Sequence, residues 1–178
     1  MMDNALTSLK IRPWSKDDLP LLERLMGDPF MTEHLGGPET LDKIRSRHER
    51  YLTIGDTGSI FVIVVGPQST PAGSVGYWER KEQGQTVWEI GWSVLPEFQG
   101  RGIATRAAML AVAHARSQRR HWFMHAYPSV ENLPSNAICR KAGFKLLGAS
   151  DFEYPKGHFM RCNNWRLDLL GSSGIANS

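Results

Sequence analysis

Residues 97–120 read EFQGRGIATRAAMLAVAHARSQRR: two glycines and an arginine within a few positions, then an alanine-rich segment of helical character. Glycine has no Cβ, so at Gly100 and Gly102 successive main-chain N–H groups can turn toward one point, and a bulky ligand can come within hydrogen-bonding distance of them. The helix that follows aims its unpaired first-turn N–H groups, and the positive end of its dipole, at the same point. Turn and helix together make a seat for an anion, with Arg101 adding charge at its rim. The other reading of the glycine pair is a tight strand-to-helix turn and nothing more. Of two familiar phosphate cradles, one is excluded and the other fits weakly. A P-loop has Lys-Ser or Lys-Thr after its last glycine, where this chain has Ile103 and Ala104. A dinucleotide-binding turn follows the first strand and carries a third glycine, whereas this turn follows the fourth predicted strand and lacks it.

Outward from that turn the elements fall into a recognisable order. TVWEIGWSVLP (86–96) is the strand that feeds it. SIFVIVVGP (59–67) is a continuous apolar run of buried-strand type, and AGSVGYWERKE (72–82) pairs with it as a hairpin. LKIRPW (9–14) alternates and stops at a proline, which predicts a short strand. A helix then begins at Ser15 with Leu19, Leu22 and Leu25 at helical spacing, and a more exposed helix covers 41–52. The long helix runs from about Gly102 to Gln118, with Ala107, Ala108, Leu110, Ala111 and Ala115 as a small-residue face. RHWFMHAYP (120–128) predicts a strand, LPSNAICRKAGF (133–144) a helix ending at Gly143, and KLLGASDFEYP and HFMRCNNWRLDLL a closing pair of strands. One strand, two helices, three antiparallel strands and then strand–helix alternation imply an α+β fold around a mixed sheet.

With 41% hydrophobic and 22% charged residues in 178, the chain has globular composition, which argues against disorder or a fibrous class. A single domain is expected over 1–170, with a flexible tail at 171–178. The net charge of +3 is spread along the chain apart from Arg116, Arg119 and Arg120, and suits an anionic small ligand or nucleic acid without selecting either. Cys139 and Cys162 have neither zinc nor disulfide spacing, so a reducing compartment is the natural setting. His121 and His125 lie four apart without a third ligand, and no metal site is expected. The N-terminal residues carry no apolar export region and no run approaches the length of a membrane span, so the expected location is the cytoplasm and no membrane partner is expected.

Strand WEIGWSVLPEF (88–98), the turn Gln99-Gly100-Arg101-Gly102-Ile103-Ala104 and the later ENLPSNAICRKAGF (131–144) together resemble the GCN5-related N-acetyltransferase (GNAT) superfamily, whose pyrophosphate signature is Gln/Arg-x-x-Gly-x-Gly/Ala. LKIRPWSKDDLPLLERLMGDP and HLGGPET are similar to the branch that includes the ribosomal-protein N-terminal acetyltransferases. The resemblance implies a mostly antiparallel central sheet splayed between strands 4 and 5, with helices on both faces. It implies acetyl-CoA as cofactor, and direct attack of a small-molecule or peptide amine in a ternary complex, by a monomer or homodimer.

Carried over by position, the resemblance places Gln99, Gly100, Arg101, Gly102, Ile103, Ala104 and Thr105 at the pyrophosphate. It places Ser93 and Val94 beside the pantetheine arm through backbone atoms, and Asn132 and Ser135 at the pantetheine and the phosphates or sulfur. Ser, Asn and Pro also begin helices, and both roles stay open for that pair. Glu89 resembles the general base of several members. Strand alternation, however, sets it with Gly91 on the face opposite Trp88, Ile90 and Trp92, so a solvent-facing carboxylate is the competing reading. Tyr127 and Glu131 are second choices. Cys139 stands where many relatives have a tyrosine that protonates the departing thiolate; a thiol is a weak donor, and a small buried packing residue is the other reading. Arg106 replaces a glutamate usual in that branch. The acceptor pocket is expected from the loop around His34 and from residues 27–57 and 150–162. Two other classes stay in view: a non-catalytic acyl-CoA-binding sensor or scaffold, and a nucleic-acid module using Arg116–Arg120, for which the chain lacks a broad basic stripe.

Overall fold

The apolar run at 59–65 determines how the chain is layered. It forms β2 (Gly58–Val65), whose alternate side chains leave in opposite directions. Phe61, Ile63 and Val65 enter one buried cluster, and Ile60, Val62 and Val64 enter another. A strand covered on both faces has no polar side, which is why the sequence shows no alternation there. The computed structural model describes residues 8–153 and 156–171. The predicted tail, apart from Gly171, lies outside the described residues, as do residues 1–7, Tyr154 and Pro155.

Six further strands complete the sheet: β1 (Lys10–Pro13), β3 (Thr70–Glu82), β4 (Gln85–Val94), β5 (Phe123–Ala126), β6 (Lys145–Glu153) and β7 (Phe159–Asp168). Their order is β1-β2-β3-β4-β5-β7-β6, parallel between β4 and β5 and antiparallel at the other junctions. Helices α1 (Leu19–Gly27) and α2 (Leu41–Leu52) bury Leu22, Leu25, Met26 and Ile44 on one face. Helices α3 (Ile103–Gln118) and α4 (Leu133–Lys141) cover the other with Ile103, Ala107, Ala108, Ala111, Ala115 and Cys139. The result is the α+β architecture with a mostly antiparallel sheet and helices on both faces.

Two local expectations are corrected. Ser15 caps a 3-10 turn, Lys16–Asp18, through a capping box with Asp18, and the α-helix proper begins at Leu19. Pro20 has no N–H to give to an earlier carbonyl, so the α-helical ladder cannot extend back through it. Leu110 leaves the alanine face of α3: it is 36% exposed while Ala107, Ala108 and Ala111 are fully buried. Packing by alanines brings α3 close to the sheet, and Leu110 turns away into a groove described below.

Candidate functional site

The site is created where β5 leaves β4. The two strands are paired at Trp88–Met124 and Glu89–His125, after which Ile90 to Val94 run on without a β5 partner among the described residues. Pro128 cannot donate to a ladder, and the chain past β5 follows β7 instead: Asn163 N donates to the Pro128 carbonyl (2.9 Å), and Val130 N to Arg161 O (3.0 Å). A wedge therefore opens in the sheet with Glu89 and His125 at its floor.

The mouth of the wedge meets the glycine turn. Gly100 and Gly102 have φ of 73° and 74°, in the left-handed region that residues with a Cβ enter at a cost. An added Cβ at either would meet nothing within 4 Å, so the turn needs glycine for its backbone shape and leaves open space in front of it. Gly102 is the N-cap of α3, whose first turn contains no acid, while Arg101 and Arg106 flank it. Positive side chains at the positive end of a helix are unfavourably placed unless an anion sits there. Gln99 ties the turn down: its amide nitrogen donates to the Val94 carbonyl (2.8 Å) and lies 3.7 Å from the Met31 sulfur. Beyond the turn, Thr105, Arg106, Met109, Leu110 and Lys141 line an open groove of about 560 Å³ between α3 and α4.

On the opposite side of the sheet the wedge floor carries a polar cluster. Arg80 Nη1 donates to Glu89 Oε2 (3.1 Å), and Arg80 Nε lies 3.9 Å from Glu82. The guanidinium carbon sits over the rings of Tyr127 (4.5 Å) and Phe152 (4.6 Å). The Tyr127 hydroxyl donates to Glu82 (2.5 Å), and His125 stacks on Tyr127 while its Nδ1 meets Asn164 Oδ1 at 2.7 Å. Only 16% of the Glu89 side chain is exposed, so it is not a solvent-facing carboxylate. Burial raises its pKa, and Arg80 and the Trp78 indole partly oppose that rise. Burial also lowers His125 and raises Tyr127, the latter helped by the Glu82 carboxylate.

A family model described as an acetyltransferase (GNAT) domain matches residues 8–145, from the strand before α1 through the end of α4. The chain belongs to the GNAT acetyltransferases. An uncharacterised N-acetyltransferase, YnaD, of Bacillus subtilis (strain 168) is 26% identical over 104 residues, covering 58% of this chain and 60% of that protein, so the match spans less than two thirds of the relative's length. Two solved GNAT structures superpose on nearly the whole chain. One is the ribosomal-protein alpha-N-acetyltransferase RimL in complex with coenzyme A (TM-score 0.76, 19% identity, 94% of this chain and 97% of that one). The other is spermidine N-acetyltransferase from Vibrio cholerae in complex with CoA and spermine (TM-score 0.76, 17% identity, 92% and 96%). At these identities the likeness is one of fold, and the wedge and glycine turn are this GNAT chain's own geometry.

Within the GNAT frame the expected site residues fall into three groups. Gln99 to Thr105 lie together on the turn and the start of α3, with the Ile103 side chain buried in the core, so it can offer the ligand its main chain alone. Ser93 and Val94 pair with β3 but lie on the stretch of β4 without a β5 partner among the described residues, where the Val94 carbonyl already accepts the Gln99 amide. Asn132 caps α4, its side chain accepting the Ser135 N–H at 3.1 Å, so the helix-start role is realised. Cys139 is corrected: it has no exposed surface, and burial pushes its thiol up to about 12. A thiol so placed fits the reading of a small buried packing residue on the α4 face better than that of a proton donor to the thiolate. Tyr127 is corrected as a base, since its phenol holds its proton and spends it on Glu82. Glu131 is exposed on the loop before α4.

Several residues escaped the sequence reading. Arg80, Glu82 and Phe152 reach the wedge floor through strand register, which no local motif encodes. Asn136, buried on α4, donates to the carbonyls of Ser129 and Asn132 and accepts from Asn163 and the Trp165 indole. It locks α4 to the chain leaving β5 and so holds the wedge open. The fourfold satisfaction of a single amide is invisible in a linear sequence.

Proposed function

We propose that this chain transfers the acetyl group of acetyl-CoA to a primary amine of a small molecule or peptide. The observation that carries the reading is the parting of β4 from β5 at Glu89 directly behind an open, glycine-built turn at a helix N-terminus. The turn from Gln99 to Thr105 would hold the pyrophosphate through main-chain N–H groups, with Arg101 at the rim. Ser93 and Val94 would hold the pantetheine arm along the unpaired edge of β4, and Asn132 and Ser135 would line its other side. The groove of α3 and α4 offers apolar Met109 and Leu110 with cationic Arg106 and Lys141, a set suited to the nucleotide end of the cofactor. This gives Arg106 a use that the glutamate common at that position would not have.

When bound, the cofactor supplies an acyl carbon activated as a thioester with a good leaving group. The chain's own task is to deliver a neutral amine to that carbon. An alkylamine, with a pKa of about 10.4, arrives protonated at neutral pH. Glu89, on the acceptor side of the wedge floor and lifted by burial, takes that proton directly or through a water it orders, which frees the nitrogen lone pair for attack. A backbone N–H of β4 would polarise the acyl carbonyl, and Cys139, with no exposed surface, would not supply a proton to the departing thiolate.

Calorimetric titration with acetyl-CoA, followed by a thiol-release assay over a panel of peptide N-termini, polyamines, aminoglycosides and amino-acid amines, tests the reading. Binding together with turnover on at least one amine is expected. Binding with no turnover on any amine would favour an acyl-CoA sensor or scaffold instead.

A further inference from the structure

We infer that Arg80 is a positioning residue that holds the Glu89 carboxylate ionised and aimed across the floor of the wedge, where the amine proton must be taken. The inference rests on the reading of Glu89 as the proton acceptor. Its ground is geometric. Arg80 stands on β3 two residues along from Trp78, the cross-strand partner of Glu89, and so on the same face as Glu89; its own partner is Val87. Its Nη1 reaches Glu89 Oε2 at 3.1 Å. The rings of Tyr127 and Phe152 lie under the guanidinium at 4.5 and 4.6 Å, and aromatic faces orient a planar cation far better than they orient an ammonium. Tyr127 is itself anchored, by its hydroxyl on Glu82. The chain of contacts thus runs from Tyr127 through Glu82 and Arg80 to Glu89, crossing from the chain just past β5 to β3 and then β4.

Charge explains why such a device is needed. The groups facing Glu89 are Arg80 and Glu82 from β3, His125 from β5, Tyr127 from the chain just past β5, and Cys162 from β7. Tyr127 and Cys162 are held protonated by burial, and burial also favours neutral His125. Two carboxylates therefore share one guanidinium in a largely buried setting. Without Arg80, burial and the Glu82 charge would both push Glu89 toward its neutral form, in which it cannot accept a proton. Arg80 Nε, buried and without a hydrogen-bond partner among the described residues, marks the cost of keeping the guanidinium over the two rings and turned toward Glu89. A merely structural ion pair has no need of that orientation.

The test follows the Glu89 carboxyl resonance in protein labelled with 13C-glutamate, assigned by its absence in E89Q. In R80M the titration midpoint should rise by at least about one pH unit, a tenfold change in the ionisation constant. R80K should recover most of that shift, since the charge returns, but not the full turnover, since the flat stack does not. E82Q, which leaves Arg80 to Glu89 alone while keeping an acceptor for Tyr127, should move the midpoint down. The acidic limb of the kcat/KM profile should move with the resonance in each variant. A Glu89 midpoint unmoved in R80M, or unmoved in E82Q should R80M fail to fold, overturns the inference. Full turnover by E89Q would instead overturn the reading of Glu89 as proton acceptor, and the resonance would still judge Arg80 independently.

Discussion

Replacing Gly102 by alanine separates the glycine turn's two roles, backbone shape and ligand access. Gly102 sits at φ 74° and an added Cβ would meet no protein atom within 4 Å. The cost to the free protein is then the left-handed conformation itself, about 1–2 kcal/mol, or a Tm lower by about 2–8 °C for a domain of this size. Gly84, in the β3–β4 hairpin at φ 81° with nothing within 4 Å, carries the same conformational cost. It lies beyond the far end of β4, about 33 Å along the strand from the glycine turn. G84A is therefore the matched control: the same thermal loss with no ligand in front of it. In G102A the new methyl projects into the open space that the diphosphate would fill, and displacing one hydrogen bond to a charged oxygen costs about 1.5–3 kcal/mol. The Kd for CoA should rise at least about tenfold. At a CoA concentration a hundredfold above the wild-type Kd, binding stabilises the wild type by about 2.7 kcal/mol, and the tenfold-weaker variant by about 1.4 kcal/mol. Calorimetry gives the Kd directly, and a thermal shift with and without CoA gives the linked stabilisation. Equal Tm losses in G102A and G84A together with an unchanged Kd would refute the assignment of this turn as the diphosphate seat.

Three further outcomes are expected. R106A should weaken binding of CoA more than binding of 3′-dephospho-CoA if the α3–α4 groove holds the nucleotide end, and equal losses for the two ligands would place that end elsewhere. Asp18, 4% exposed, accepts from the two Arg12 Nη nitrogens (2.9 and 2.7 Å) and from the Ser15 N–H and hydroxyl (2.7 and 2.8 Å). Burial alone would raise its pKa, but these bonds and the Arg12 charge outweigh it and hold the carboxyl below its ordinary value. The stability it contributes is thus present above the unfolded-state pKa of about 3.9 and is lost as pH falls through the lower folded-state value. D18N should cost about 1–3 kcal/mol in urea titrations at pH 7, with the gap to wild type closing below about pH 4. Iodoacetamide should label Cys139 in denaturant and not in the native protein, and C139S should lose about 1–3 kcal/mol by burying a hydroxyl among apolar neighbours; rapid native labelling would reinstate Cys139 as a working thiol.

The glycine turn and the helix behind it were legible because their information is local. Gln99 to Ala104 specify a turn through consecutive residues, two of them glycines in the left-handed region, and the helix that begins at Ile103 can be read from its own alanines. The same holds for β2, whose double-sided burial is written as an unbroken apolar run. What failed did so for identifiable reasons. Ser15 was a correct cap of the wrong kind of helix, because Pro20 decides where the α-helical ladder starts. Cys139 drew a chemical role by its position in a motif, and its burial in the core under α4, which no local pattern records, favours the packing role instead. Glu89 could be placed on a face by alternation, but whether that face was wet depended on Arg80, Tyr127 and Phe152, which are remote in sequence.

That asymmetry follows from how the two ligands are gripped. A diphosphate and a pantetheine arm can be held by main-chain groups, which every residue possesses, so the chain needs to specify backbone shape and a short motif is enough. An acceptor amine must be recognised by side chains, and the polar cluster proposed to meet it draws its side chains from β3, β4, β5 and β6, brought to one spot by register. In the antiparallel pairing of β3 with β4, a slip of one residue would turn either Arg80 or Glu89 to the opposite face and break their contact. The hairpin turn at Gln83-Gly84, with both residues at positive φ, is what fixes that register. A substitution that altered this turn should therefore disturb the Glu89 environment from the far end of β4, leaving CoA affinity intact and moving the acidic limb of the pH profile. Lengthening the turn by one residue is the direct trial: the same Kd for CoA with a displaced limb is expected, and an unchanged limb would mean that the Arg80–Glu89 contact is maintained by something other than the β3–β4 register.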